Sequence, residues 1–189
     1  MGHDSTWAEW QYANVVVSEH EWWYITLLVG GDVNGGHYGG QILVTHRLPS
    51  GQYHRFVEMV PGGAVAFDTL HADVTLGASL VTQRDGAYHF LGRAGASRFD
   101  IELTPAPHRY FPPVALGGGS QSGYAVAALR AAATGELCDA GDCTRIVASD
   151  AYHDHNWGTW SGVTWEWGAG RGAAIDLLYG GVLGPASGS

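Results

Sequence analysis

Lysine is absent from this chain. All nine basic residues are arginine, against 18 acidic residues, giving a formal charge of −9. An acidic chain with no basic run has little with which to attract phosphate backbones or anionic membrane surfaces, which argues against nucleic acid as a partner. Charge of either sign is scarce, at 14% of residues, whereas hydrophobic residues make up 46%. That balance belongs to a globular chain and not to a disordered one. No apolar run approaches the ~18 to 20 residues of a membrane-spanning helix, and the polar start MGHDSTWAEWQY lacks the basic and apolar regions of a signal peptide. The cytoplasm is the expected location. Cysteine is nearly absent too, with only Cys138 and Cys143, in CDAGDC. Two thiolates alone cannot complete a tetrahedral zinc site. The intervening Asp-Ala-Gly-Asp reads as a turn that would set the cysteines across a hairpin. For a cytosolic protein, two free thiols are expected in preference to a disulfide.

Glycine and tryptophan are what the sequence has in abundance, at 29 and eight residues. The glycines fall between short apolar runs, and the runs alternate. In TLHADVTLG, Leu70, Ala72, Val74 and Leu76 share one side, with His71, Asp73 and Thr75 on the other. In SRFDIELTP, Phe99, Ile101 and Leu103 alternate with Asp100 and Glu102. This period of two is the signature of half-buried strands. Further strands are expected in NVVVS, WWYITLLV, GQILVTHRL, YHRFVEM, SLVTQRD, AYHFLGR, TRIVAS, VTWEWG and AAIDLLYGG, separated by turn signals at hairpin spacing. Many short strands in series predict an all-β, antiparallel, lipocalin-like barrel or sandwich, because parallel strands would need long crossovers.

Residues 125–137, AVAALRAAATGEL, are rich in helix formers but sit among strands, and are read as a strand. Residues 105–123, rich in Pro and Gly, are read as one long connection. The expected organisation is a lead-in and first strand over 1–18, a β domain over 19–181, and a linker-like tail over 182–189.

The densest chemistry lies in AYHDHNWGTW, residues 151–160. His153 and His155, two apart on a strand, would point the same way and could share a metal ion. The next carboxylate, Glu166, lies beyond two glycines, and His20, His46, His54, His71 and His89 are scattered, so no metal is expected. In extended backbone Tyr152, Asp154 and Asn156 face one way, and His153, His155 and Trp157 the other. Asp154 and Asn156 have two readings: anchors that hydrogen-bond backbone at a strand end before Gly158, or, for Asp154, a catalytic acid. Glu21 divides similarly, between a buried acid and a partner for Arg47 or Arg55.

SEHEWWYIT near the start and AYHDHNWG about 130 residues later, followed by WEWG, together resemble the hydroxyneurosporene synthase (carotenoid 1,2-hydratase) family and its lipocalin-like relatives. The resemblance implies cofactor-free chemistry on double bonds of apolar polyenes or isoprenoids. Acid-catalysed hydration is the leading expectation; intramolecular Diels–Alder-type cyclisation and plain lipid binding are the alternatives. It also implies two β domains with a pocket near their junction, so a homodimer or a second domain is an expected complement. A lipophilic small molecule is the expected partner, with a peripheral membrane contact compatible with its uptake. The resemblance points to His155 and Trp157 at the reacting centre and to Asp176 and Tyr179 on a later strand; Asp154 is the candidate acid beside them from its own chemistry. Glu21, Trp22, Trp23, Tyr24, Tyr152, His153, Asn156, Trp165 and Trp167 are the expected substrate-binding residues. The chemistry needs an acid held protonated near neutral pH and an electron-rich wall for a carbocation, which a carboxyl among indole and phenol rings can supply.

Overall fold

Period-two alternation carries most of the fold. The computed structural model describes residues 7–68, 71–115, 122–159, 164–172 and 175–183, and among them every element but one short turn is a strand. The first four are β1 (Trp7–Ser18), β2 (Glu21–Asp32), β3 (His37–Arg47) and β4 (Tyr53–Pro61). The 3-10 turn Gly62–Ala64 leads to β5 (Val65–Phe67), β6 (Val74–Leu76), β7 (Ser79–Arg84), β8 (Ala87–Ala94) and β9 (Ser97–Pro105). Then come β10 (Phe111–Ala115), β11 (Gly123–Asp139), β12 (Asp142–Thr159), β13 (Thr164–Arg171) and β14 (Asp176–Leu183). No helix among the described residues is long and apolar enough to cross a membrane.

The first twelve strands form one antiparallel sheet in the order β4-β3-β2-β1-β12-β11-β9-β8-β7-β6-β5, with β10 paired to β11 off this path. The two end strands are consecutive in sequence, so the short turn between them brings the ends together and the sheet curls into a nearly closed, lipocalin-like barrel. Its inside is packed by Trp23, Ile25, Leu27, Ile42, Val44, Phe90, Phe99, Ile101, Leu103 and Leu137, all buried. Burying an aliphatic or aromatic side chain contributes about 1.5–3 kcal/mol, so this set dominates the favourable side of folding. Val74 and Leu76 of the TLHADVTLG run join the core, although the strand there is only three residues long; Leu70 lies outside the described residues.

Two sequence expectations change. The stretch 105–123 contains a strand, β10, paired to β11. Pro112 and Pro113 fit there because β10 has a neighbour on one side only, leaving edge positions where a missing N–H breaks no ladder bond. Cys138 and Cys143 are bonded to each other: they are directly opposed across the β11–β12 hairpin, with Cα atoms 4.0 Å apart. The turn reading was correct and the free-thiol reading was not, since the hairpin register sets the two cysteines directly opposite each other. The alanine-rich stretch is strand β11, as read. Pairing on both sides, to β12 and to β9 or β10, overrides its helix propensity.

β12 is the strand that positions the chemistry. β1 flanks it on one side and β11 on the other, so its side chains project from the middle of a continuous sheet. β13 and β14 pair only with each other and lie over the outer face of β12 and β1.

Candidate active site

Alternation along β12 separates the opening stretch into two groups. Tyr152, Asp154 and Asn156 project outward beneath the β13–β14 hairpin, while His153, His155 and Trp157 project into the barrel. The sequence order is compact, but the sheet stands between the two sets.

On the outer face Asp154 is 3% exposed. Its Oδ2 accepts from the Tyr152 hydroxyl at 2.8 Å and the Tyr124 hydroxyl at 3.3 Å, and its Oδ1 accepts from Asn156 Nδ2 at 2.8 Å. The two tyrosine hydroxyls are also in contact, so with one proton each either can donate to its neighbour in place of Asp154, and the Trp167 indole N–H donates to Tyr124 at 3.3 Å. Trp10, Tyr12, Tyr124, Trp165 and Trp167 wall a cavity of about 270 Å3 that Asp154 and Asn156 also line. Burial pushes the Asp154 carboxyl up to about 7, against the opposing pull of the hydrogen bonds from Tyr152, Tyr124 and Asn156. The same environment raises the tyrosines: burial and the nearby Asp154 charge push Tyr124 up to about 12, and both effects also raise Tyr12 and Tyr152. Asp154 and Asn156 bond to side chains here, so neither caps a backbone turn. Asn156 keeps its Oδ1 buried and unpartnered.

The hairpin that covers this cavity is held at its other end. Asp176 sits 2.9 Å from Arg130 and 3.6 Å from Arg109, and Arg171 donates to Asn14 at 3.2 Å. Asp176 is thereby an anchor beside the hairpin turn, paired with Arg171 in the β13–β14 register. Tyr179 is 57% exposed and lies against Gly168, away from Asp154. The expected grouping of Asp176 and Tyr179 with Asp154 therefore does not occur, because arginines capture the first and solvent the second.

On the inner face His153 is fully buried. Its Nδ1 donates to the Tyr12 carbonyl at 2.9 Å, and its ring meets Tyr88 and Phe90 edge-on at 4.4 and 5.2 Å. Burial draws its pKa down to about 4. His155 Nε2 bonds Glu9 Oε1 at 2.7 Å, and its ring lies 5.1 Å from Trp157. Trp157 packs over Gly123, where a Cβ would collide with the indole. Gly158, at φ 138°, lets the strand continue past Ser122, where a Cβ would again collide. The two histidines of HDH are each bonded within the protein, His153 to the Tyr12 carbonyl and His155 to Glu9. Among the described residues, the one cluster with metal-ligand spacing is Glu136 with Cys138 and Cys143, whose sulfurs are already joined.

The EWWY stretch lies elsewhere. Trp23 is a core residue stacked on His46 at 3.9 Å, and Trp22 is 37% exposed beneath Arg47. Glu21 bonds His46 at 3.1 Å, while Arg47, the next residue on the same strand, donates to the His20 carbonyl; among the described residues no bond joins Glu21 to Arg47 or Arg55. Only Tyr24, stacked on Tyr12 at 6.4 Å, borders the outer site. Trp10, Tyr12 and Tyr124 were missed. Reading the alternation of β1 back through WAEWQYANVVVS puts Trp10, Tyr12 and Asn14 on one side, and would have found the first two.

No protein-family model and no curated protein matches the sequence. Solved structures do. A putative AttH protein from Nitrosomonas europaea superposes with a TM-score of 0.63 at 19% identity, over 93% of this chain and 64% of that one. Kievitone hydratase from Nectria haematococca gives 0.58 at 14% identity, over 96% and 63%. CghA, solved with Sch210972, gives 0.61 at 11% identity, over 94% and 58%. What they share is the fold. The chain spans about three fifths of the length of each of these proteins.

Proposed function

We propose that this chain carries an acid-catalysed hydratase site for a double bond in a lipophilic molecule, with Asp154 as the acid. The observation that carries this reading is a buried carboxyl, raised to about 7, opening on a cavity walled by three tryptophans and two tyrosines. An alkene carbon takes the proton from the Asp154 carboxyl, leaving a tertiary carbocation beside a new carboxylate. Tyr152, Tyr124 and Asn156 already aim hydrogen bonds at that carboxylate, so its developing charge meets donors fixed in place. Indole and phenol faces stabilise the cation. Water captures it and returns a proton to Asp154, completing net addition of water; the free Asn156 Oδ1 is suited to hold that water. His155 and Trp157, the residues the resemblance favoured, line the opposite face and enter no step of this route.

Kievitone hydratase, among the structures of like fold, supports a hydratase by its name. A carotenoid-type isoprenoid is the substrate class proposed, on the resemblance of the two sequence motifs. The second reading, a cofactor-free cyclase, is favoured by a walled cavity that could shape a substrate without using the acid. The third is a lipid-binding module. Kinetics separate them. Hydration of an acyclic isoprenoid alkene by this route has a kcat/KM that falls tenfold per pH unit above about 7 and is abolished by Asp154→Asn. A pH-independent rate retained by that variant would favour the cyclase, and binding without turnover the module.

A complementary domain or second copy remains part of the proposal. The outward Tyr53, Val57 and Met59 of edge strand β4 are exposed and apolar, which supports a contact there. The Cys138–Cys143 bond weighs against the cytoplasmic location expected from the sequence, because cytosolic thiols are kept reduced.

A further inference from the structure

Beside the inner face of the barrel lies a second cavity, open to solvent along Tyr110 and Phe111, that the hydration route does not use. It has a volume of about 410 Å3 and lies between the inner face of β12 and the edge strand β10. Tyr88, Tyr110, Phe111 and Pro112 give it flat apolar walls, and small residues such as Ala125 keep it open. Gln11 and His153 line it as well. Both are buried, at 4% and 0% exposure, and each carries one polar atom with no partner: Gln11 Oε1 and His153 Nε2.

Those two atoms have the same polarity. His153 spends its Nδ1 proton on the Tyr12 carbonyl, so in the neutral ring Nε2 is an unprotonated acceptor. Gln11 Oε1 is an acceptor by nature. Gln11 is directly opposite His155 in the β1–β12 register, and His153 is the next inward residue along β12, so the two acceptors come from adjacent positions on one wall. A buried acceptor left without a donor destabilises the fold. Two on one wall of a ligand-sized cavity call for a donor. Glu9, hydrogen-bonded to His155 beside them, adds a carboxylate that disfavours an anion.

We infer that this inner cavity is a binding site, separate from the Asp154 pocket, for a neutral flat aromatic molecule that presents a hydroxyl or N–H donor to His153 Nε2 and Gln11 Oε1. The inference stands on the inner face alone and does not depend on the hydration reading.

The test uses 2-naphthol, its methyl ether 2-methoxynaphthalene, and 2-naphthoate as probes, with titration followed calorimetrically. The phenol should bind with one-site stoichiometry, at least tenfold more tightly than the ether, which has the same rings and no donor, and than the carboxylate. Gln11→Leu and His153→Phe should each erase the preference for the phenol over the ether. Asp154→Asn should leave the phenol's affinity unchanged. In the wild-type chain, nitrogen NMR of His153 should show the Nε2 resonance move on addition of 2-naphthol and stay in place with the ether, a readout that needs no variant to fold. Equal binding of phenol and ether would overturn the inference. So would binding abolished by Asp154→Asn, or a silent His153 resonance accompanied by an ordered water that bridges the two acceptors and is not displaced.

Discussion

Replacing Asp154 by Asn should make the protein more stable at alkaline pH while removing the proposed acid. The ordinary aspartate value of 3.8 rises to about 7 in the folded chain, which corresponds to ~4 kcal/mol of preference for the protonated form. The sign follows from which state ionises first. Below 3.8 both folded and unfolded chains hold the proton, and the group has no effect. Between 3.8 and about 7 only the unfolded chain has released it, so stability falls as pH rises through this window. Above about 7 the folded chain carries the full penalty of a buried carboxylate. An asparagine cannot ionise and escapes it. Its amide must re-pair with Tyr152, Tyr124 and Asn156, whose hydroxyls and amide can turn, at a cost of ~1 kcal/mol. The expected outcome at pH 8.5 is a variant more stable than the parent by about 2–4 kcal/mol, shrinking to zero or a slight deficit near pH 4. Urea unfolding followed by tryptophan fluorescence at the two pH values measures this, and the difference between differences cancels every other titrating group. A variant whose effect is the same at both pH values would refute the raised carboxyl, and with it the acid.

The opposite sign applies to Asp139. Burial raises its carboxyl, but hydrogen bonds from His46 at 2.7 Å and His54 at 2.8 Å, with their charges, bring the net effect below the ordinary value. Its contribution should be fully present above pH 3.8 and lost as pH falls through the lower folded value, so Asp139→Asn should cost roughly 1–3 kcal/mol at pH 7 and progressively less in acid-unfolding curves. Removing both cysteines as Cys138→Ser with Cys143→Ser should lower stability by about 2 kcal/mol, the small value expected for so short a closed loop, and a mass measurement of protein extracted under thiol-blocking conditions should find the pair joined.

The period-two signal made much of this legible. It placed most of the strands, and it divided Tyr152, Asp154 and Asn156 correctly from His153, His155 and Trp157, because extended backbone leaves a side chain only two directions. It could not say which direction holds an acid. That depends on the β13–β14 hairpin folding back over the outer face to bury Asp154, and nothing local to residues 151–160 records it. Asp176 and Tyr179 show the same limit: their spacing suits a strand, but Arg109 and Arg130, distant in sequence, decide where Asp176 points. Gln11 was hidden differently. Polar and flanked by Trp10 and Tyr12, it breaks the hydrophobic pattern of an otherwise clear strand, so the reading began only at NVVVS. The disulfide went unread because compartment was argued before hairpin register.

β12 serves two chambers through one thin wall, and the consequence is a sensitivity to translation along the strand. A slip of a single residue would turn His153 and His155 toward the hairpin and Asp154 into the hydrocarbon interior, exchanging the contents of both chambers at once. Point substitutions can tune either side independently, but an insertion or deletion in β12 upstream of residue 152 would damage both together unless a bulge absorbed it. β11 already contains two such irregularities, between Ala125 and Ala128 and between Ala128 and Ala131, and β12 contains a third between Ile146 and Ser149. The Cys138–Cys143 bond clamps the same ladder at its far end. Length variation in this protein's lineage should therefore collect in the turns, in β11 and in β12 before Ser149, leaving the spacing from Ala151 to Gly158 untouched.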